Sequence, residues 1–167
     1  MKNVLRHLRS LIAPAIMGFL LPISIVWSER QSSDRLWLNF PTGLNIAGFV
    51  ISVIGLVLLI LTVRMFIQIG KGTIMPWDPT RKLIIVGIYR HVRNPMILGV
   101  LLLQVGQAIL FASSGIAWLA VGFFVVNTFY FTFSEEPGLE KRYGQEYIEY
   151  KRNVPRWIPR LKPWQPG

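Results

Sequence analysis

Uncharged apolar runs alternate with short charged segments along this chain. The first run covers residues 11–27, and the second, residues 44–63, is long enough for a helix to cross a bilayer. Residues 94–134 then contain no charged residue at all. This third stretch is too long for one span, and the turn-forming residues 112–115 (Ala-Ser-Ser-Gly) divide it into two helices.

The pattern therefore predicts an all-α integral membrane protein with a single membrane domain, residues 1–167. We expect two N-terminal spans and a C-terminal helical hairpin, with Pro95 in the first turn of the hairpin, where its missing N–H costs nothing. The four predicted transmembrane helices lie at about residues 11–27, 44–66, 95–111 and 116–133. The polar segment 28–43 and the Gly- and Pro-rich segment 69–89 are predicted loops.

A further helix is predicted at residues 137–153, outside the membrane. Leu139, Tyr143, Tyr147 and Tyr150 recur there at spacings of four and three, which indicates an amphipathic helix with one tyrosine-rich face. By default such a face packs against a loop or the bilayer.

Basic residues predict the orientation of the spans. Three precede the first span, six lie between residues 64 and 93, and seven follow the last span, whereas segment 28–43 has two and the hairpin turn has none. Positive charge favours the cytoplasmic side, so we expect a multi-pass protein with both termini in the cytoplasm. Arg90–Arg93 and Glu135-Glu136 would then lie at the same membrane face.

Composition excludes several classes of site. The chain has no cysteine and only two histidines, so we predict neither a disulfide nor a metal centre. The formal charge of +10 flanks the spans, which indicates contacts with lipid headgroups rather than nucleic acid. Membrane lipids are therefore expected partners.

Two charged clusters could carry chemistry. Arg90, His91 and Arg93 either anchor the chain to lipid phosphate or bind an anionic ligand group. Glu135 and Glu136 repel each other unless cations or hydroxyls satisfy them, although one of them could simply begin a helix. Such a pair indicates a polar or positively charged ligand.

Polar and small residues inside the spans predict helix packing. Gly48, Ser52 and Gly55 give the second span a small-residue face for close contact with another helix. Gln104 and Gln107 are expected to make interhelical hydrogen bonds first and substrate contacts second.

An ordered set of motifs covers residues 69–159. They are Gly70-Lys71-Gly72-Thr73, Pro76-x-x-Pro79 and Leu83, Gly87-x-Tyr89-Arg90-x-x-Arg93-Asn94-Pro95-Met96-x-x-Gly99, Glu135-Glu136-x-x-Leu139, Tyr143-Gly144-x-x-Tyr147-x-x-Tyr150 and Val154-Pro155-Arg156-x-x-Pro159. The set resembles the isoprenylcysteine carboxyl methyltransferase family, and phospholipid methyltransferases share much of the pattern. That family often has His-Pro where Asn94-Pro95 stands, and Tyr where Ile97 stands.

The resemblance implies an enzyme that uses S-adenosylmethionine, bound at the cytoplasmic face by segments 69–99 and 134–160. The implied cofactor-binding residues are Arg90, His91, Arg93, Asn94, Gly99, Glu135, Glu136, Tyr147 and Tyr150. Arg152 and Arg156 lie where the family has polar residues on the substrate side, and with Glu135 they are the implied catalytic residues. The acceptor would be a lipophilic small molecule or a prenylated chain that enters from the bilayer.

The acceptor group stays open between two classes. A carboxylate acceptor, as in isoprenylcysteine O-methylation, needs alignment but no general base. A phospholipid or other lipid amine must first be neutral, and Glu135, Glu136 or Tyr147 could remove its proton. Two other functions remain, namely an NADPH enzyme similar to sterol reductases, which share an Arg/Asn-Pro-like segment, and a non-catalytic membrane scaffold.

Overall fold

The computed structural model of the chain describes residues 12–32, 42–69, 83 and 85–165, and every regular element in these ranges is helical. The helices are α1 (Leu21–Ser32), α2 (Thr42–Ile69), α3 (Pro95–Leu110), α4 (Ser114–Tyr130), α5 (Glu136–Tyr143) and α6 (Gln145–Asn153). A π-helical turn, Ile16–Leu20, precedes α1, and another, Phe131–Glu135, joins α4 to α5. A short 3₁₀ helix, Gly87–Arg90, lies before α3.

Three helices are long and apolar enough to cross a membrane: Ile12–Gln31, Gly43–Met65 and Ser114–Tyr143. Pro95–Leu110 is equally apolar in character but shorter. The predicted all-α class is confirmed for the described residues, while the number of four spans stays a prediction. Residues 70–82 and 84, which include most of the predicted loop 69–89, lie outside the described part of the chain.

The predicted loop 28–43 is too long, because helices occupy both of its ends. α1 continues to Ser32, and α2 begins at Thr42. Glu29 explains the first extension, since its carboxylate accepts hydrogen bonds from the Ser113 hydroxyl at 2.6 Å and from the Gly115 N–H at 2.8 Å. A charged residue can therefore lie within the helix, and the uncharged run gives only the minimum length of the span.

Small residues bring α2 and α3 into direct backbone contact. A Cβ atom added to Gly55 would lie 2.5 Å from the Leu103 nitrogen, and one added to Gly106 would lie 2.5 Å from the Ser52 nitrogen. One added to Gly48 would lie 2.9 Å from the Gly106 carbonyl oxygen. The predicted small-residue face of the second span is thus confirmed as a packing surface.

Two glutamine side chains join α3 to the π-helical turn that precedes α1. Pro22 has no N–H, so one carbonyl group in the preceding turn loses its helical donor. Gln104 donates to the Met17 oxygen at 2.9 Å, and Gln107 donates to the Gly18 oxygen at 3.1 Å. The expectation that these glutamines make interhelical hydrogen bonds is confirmed.

The single helix predicted at residues 137–153 is wrong, because Gly144 divides it. Gly144 adopts φ +55° and ψ −131°, which ends α5 and allows α6 to begin in a new direction. The N-terminal part of the predicted helix is instead continuous with α4, since one uninterrupted helix runs over Ser114–Tyr143. The expected amphipathic surface helix stays a prediction.

Candidate functional site

Glu136 lies at the centre of the charged cluster beyond the end of α4. Its side chain is only 3% exposed, and its Oε1 accepts hydrogen bonds from Arg93 Nη1 at 2.8 Å and from Arg156 Nε at 2.7 Å. Lys151 Nζ approaches Oε2 at 3.0 Å. A buried carboxylate that contacts three cations is costly to replace, because its loss would leave those charges without this partner.

The Arg93–Glu136 ion pair confirms that the two predicted charged clusters meet. Arg93 comes just before α3, and Glu136 is the first residue of α5. The two charges lie at opposite ends of the long uncharged stretch, and α3 and α4 return the chain to the same end of the bundle. Membrane sidedness is a separate question and stays a prediction.

Arg93 keeps one donor without a partner. Its side chain is 10% exposed, and its Nε atom is buried with no hydrogen-bond acceptor among the described residues. A buried unpaired donor on a cation is costly, so it indicates either strain or a place for an acceptor from a ligand. This atom is the clearest local signal of a binding site.

Tyrosines form the apolar wall beside the ion pairs. Tyr147, Tyr150 and Val154 are buried together, and Leu83, Ile85, Leu139, Tyr143 and Trp164 pack against them. Burial raises the pKa of Tyr147 to about 12, and the charge of Glu136 adds to this effect while Arg93 opposes it. Burial also raises the pKa of Tyr150, whose hydroxyl donates to the Tyr89 carbonyl at 2.7 Å. Both phenols are therefore neutral at physiological pH.

Residues 155–165, here called the C-terminal strap, run along the segment that contains Arg90–Arg93. Backbone hydrogen bonds of 3.0 Å link Arg93 N–H to Pro155, Arg160 N–H to His91, and Trp164 N–H to Arg90. The His91 Nδ1 atom pairs with the Arg160 carbonyl at 2.7 Å, and the Arg90 Nε donates to the Trp164 carbonyl at 2.5 Å. The strap therefore bonds to polar side-chain atoms of Arg90 and His91, two of the predicted cofactor-binding residues.

The predicted site residues divide into two groups. One connected cluster contains Arg93, Glu136, Tyr147 and Arg156. Glu135 lies beside it, and its charge adds to the effect of burial in raising the pKa of Tyr89. The others lie apart from the ion pairs: Arg90 and His91 under the strap, Tyr150 against Tyr89, Asn94 at the start of α3, Gly99 in the α2–α3 contact, and Arg152 exposed at the end of α6.

Sequence reasoning missed Lys151 and Thr132. Lys151 connects Glu136 to Glu140, which it reaches at 2.8 Å, and the Thr132 hydroxyl accepts a 2.6 Å hydrogen bond from Arg156 Nη1. Lys151 carries a weak signal, since it lies four residues after Tyr147 and therefore on the same side of a helix. Thr132 lies in the uncharged stretch and carries none.

A family model described as phospholipid methyltransferase matches residues 44–146. The chain belongs to the phospholipid methyltransferase family. The match covers both Arg93 and Glu136 and ends just before Tyr147, so Lys151, Arg156 and the strap lie beyond it. A search of curated proteins found no match.

Membership of the phospholipid methyltransferase family supports an enzyme that transfers a methyl group. Together with three apolar helices long enough to span a bilayer, it indicates a multi-pass membrane protein. The predicted resemblance to this type of membrane methyltransferase is therefore confirmed.

Proposed function

We propose that the chain transfers a methyl group from S-adenosylmethionine to a lipophilic acceptor at the membrane surface. The observation that carries the proposal is the buried Arg93–Glu136 pair with its unpaired Arg93 Nε donor. It lies inside the region matched by the methyltransferase family model. The cofactor would reach this site from the cytoplasm, and the acceptor would reach it laterally from the bilayer.

The residues present fit this cofactor. S-adenosylmethionine carries a carboxylate, an ammonium group and ribose hydroxyls, and a buried arginine donor suits the carboxylate. Glu135, half-buried beside the cluster, suits a hydroxyl or the ammonium group. Glu136 is already surrounded by cations, so we assign it a positioning role in which it orients Arg93 and Arg156. When bound, the cofactor would supply a methyl group that passes from its sulfonium sulfur to a nucleophile, with the neutral thioether as the leaving group.

The surrounding residues favour this displacement by alignment and by exclusion of water. Methyl transfer is an in-line reaction, and correct orientation is the main requirement. Tyr147 and Tyr150 are each 3% exposed, so they form a surface that excludes water. Because both phenols are neutral, they do not compete with the acceptor as charged nucleophiles. Arg156, which donates to both Glu136 and Thr132, adds a second positive charge beside the Arg93–Glu136 pair.

We favour a carboxylate as the acceptor, as in isoprenylcysteine-type O-methylation. Arg93, Arg156 and Lys151 meet at one carboxylate, and this excess of positive charge would attract an anionic acceptor. Methylation of a phospholipid or other lipid amine is the second candidate, and the description of the matched family favours it. In that reaction Glu135 would accept the amine proton.

The proposed topology has four spans with both termini in the cytoplasm. α3 would be the third span, and the hairpin turn at Ser113 would face outside. Because the chain has no cysteine, single substitutions can report sidedness. A cysteine in place of exposed Ser114 should react with an impermeant maleimide added to intact cells, whereas one in place of exposed Glu149 should react only after lysis. The reverse pattern would refute the orientation.

Calorimetric titration of the purified protein with S-adenosylmethionine in detergent tests the cofactor. Saturable binding is expected, and NADPH should not bind. Labelled cofactor supplied with prenylated cysteine carboxylates or with phospholipid amines then distinguishes the two acceptor classes. A folded protein that binds NADPH instead would favour a reductase, and one that binds neither would favour a scaffold.

A further inference from the structure

One side of the C-terminal strap (residues 155–165) contacts the Arg90–Arg93 segment and Tyr150. Its backbone pairs with Arg90, His91 and Arg93, and the Trp164 ring lies 5.9 Å from the ring of Tyr150. These contacts set the path of the strap and determine which of its side chains point away from the protein.

Trp157 places the strap against the apolar flank of α4. Its ring centroid lies 5.3 Å from that of Phe124 and 6.0 Å from that of Phe131. The same helix exposes Val126 at 67%, which suits a surface in contact with lipid tails. Phe124 and Phe131 lie two turns apart on the helix Ser114–Tyr143, which is long and apolar enough to cross a bilayer. Trp157 therefore packs beside a candidate membrane span.

The outer side of the strap is apolar and exposed. Ile158 is 79% exposed and Leu161 is 97% exposed, with no described residue covering either of them. Each is followed within two positions by a cation, Arg160 and Lys162. No acidic residue occurs after Glu149. Within the strap, Arg156 is paired with Glu136, whereas no carboxylate of the described residues forms an ion pair with Arg160 or Lys162.

We propose that the outer side of the strap is a membrane-docking surface that binds the anionic headgroup layer of the bilayer. Ile158 and Leu161 would enter the boundary between headgroups and acyl chains, and Lys162 would contact lipid phosphate. The charge pattern decides the occupant, because basic residues around apolar ones complement anionic lipid. The strap would thereby fasten the Arg90–Arg93 segment to the membrane surface.

Spin labelling tests this proposal directly, since each introduced cysteine is the only one in the chain. The full protein with Leu161→Cys is labelled and placed in nanodiscs that contain phosphatidylcholine and phosphatidylglycerol. Val126→Cys on α4 is the lipid-facing reference, and Glu149→Cys, exposed just before the strap, is the aqueous control. The collision rates with oxygen and with a water-soluble nickel chelate are measured for each label.

At position 161 we expect a high ratio of oxygen to nickel collisions, close to that at 126 and above that at 149. Removal of phosphatidylglycerol, or the additional change Lys162→Glu, should lower this ratio. A ratio at 161 that matches the aqueous control would overturn the docking surface. Low collision rates with both reagents would assign it to a second copy of the chain, and an unchanged ratio without phosphatidylglycerol would overturn the anionic specificity.

Discussion

Replacement of Glu136 with glutamine should destabilise the protein far more than the same change at Glu140. Both carboxylates accept a bond from Lys151, at 3.0 Å and 2.8 Å respectively. They differ in burial, because the Glu136 side chain is 3% exposed and that of Glu140 is 37% exposed. Only Glu136 also holds Arg93 and Arg156. The pair of variants therefore compares a buried and an exposed member of one ion network.

The expected loss in the free energy of unfolding depends on the partners that each substitution leaves unpaired. Loss of one partner of a buried ion pair costs about 3–5 kcal/mol, and we take about 3 kcal/mol for Glu136→Gln because the amide oxygen can still accept a hydrogen bond. An exposed pair contributes about 0–1 kcal/mol, which is the expected cost of Glu140→Gln. For a chain of this length, 1 kcal/mol shifts the thermal midpoint by about 2–4 °C. Glu136→Gln should therefore lower it by about 6–12 °C.

Thermal unfolding of the purified proteins in one detergent, followed by circular dichroism, measures these shifts. Glu140→Gln should change the midpoint by less than about 4 °C. If the two variants unfold at the same temperature, the contacts around Glu136 do not stabilise the fold. A Glu136→Gln protein that is as stable as the parent would likewise contradict the inferred positioning role.

Three further predictions test other parts of the structure. Arg93→Lys should fold but lose at least about tenfold in S-adenosylmethionine affinity by calorimetry, because lysine cannot supply both the bond to Glu136 and the free donor, whereas exposed Arg142→Lys should bind normally; equal affinities would contradict the site. The pKa of Tyr147 is raised from 10.0 to about 12, so its stabilising contribution is complete below pH 10 and is lost as the pH rises to 12; the thermal midpoint should fall over this window, and less steeply in Tyr147→Phe. Gly106→Ala should cost about 1–3 kcal/mol in unfolding experiments, since its Cβ would lie 2.5 Å from a backbone nitrogen, whereas Gly122→Ala, with nothing within 4 Å, should be neutral or stabilising.

Charge and small-residue patterns predicted the contacts that depend on them. Arg93 and Glu136 flank an uncharged stretch, and two helices in that stretch bring them together whatever the details of packing. The small residues of α2 predicted a close helix contact because small side chains let the backbones of two helices approach each other. In both cases the residue type alone indicates what the folded chain must provide, namely an opposite charge or a close helix contact.

Other features left no trace in the residue pattern. The pattern predicts Gly144 inside a helix, because an isolated glycine is tolerated there and its positive φ is a property of the folded chain. The strap bonds to Arg90 and His91 through the backbone groups of Arg160 and Trp164, and every residue carries such groups except for the N–H of proline. Their predicted roles rested on side-chain type, whereas the structure uses them to hold a neighbouring segment.

The unbroken helix Ser114–Tyr143 links the bilayer mechanically to the charged cluster. Glu136 lies about 33 Å along this rod from Ser114, at 1.5 Å per residue, so a tilt of about 10° about the far end would displace its carboxylate by roughly 6 Å. Helices tilt to match the thickness of the surrounding hydrocarbon. A change in membrane thickness that tilted this helix relative to α3 would therefore change the distance between Glu136 and Arg93.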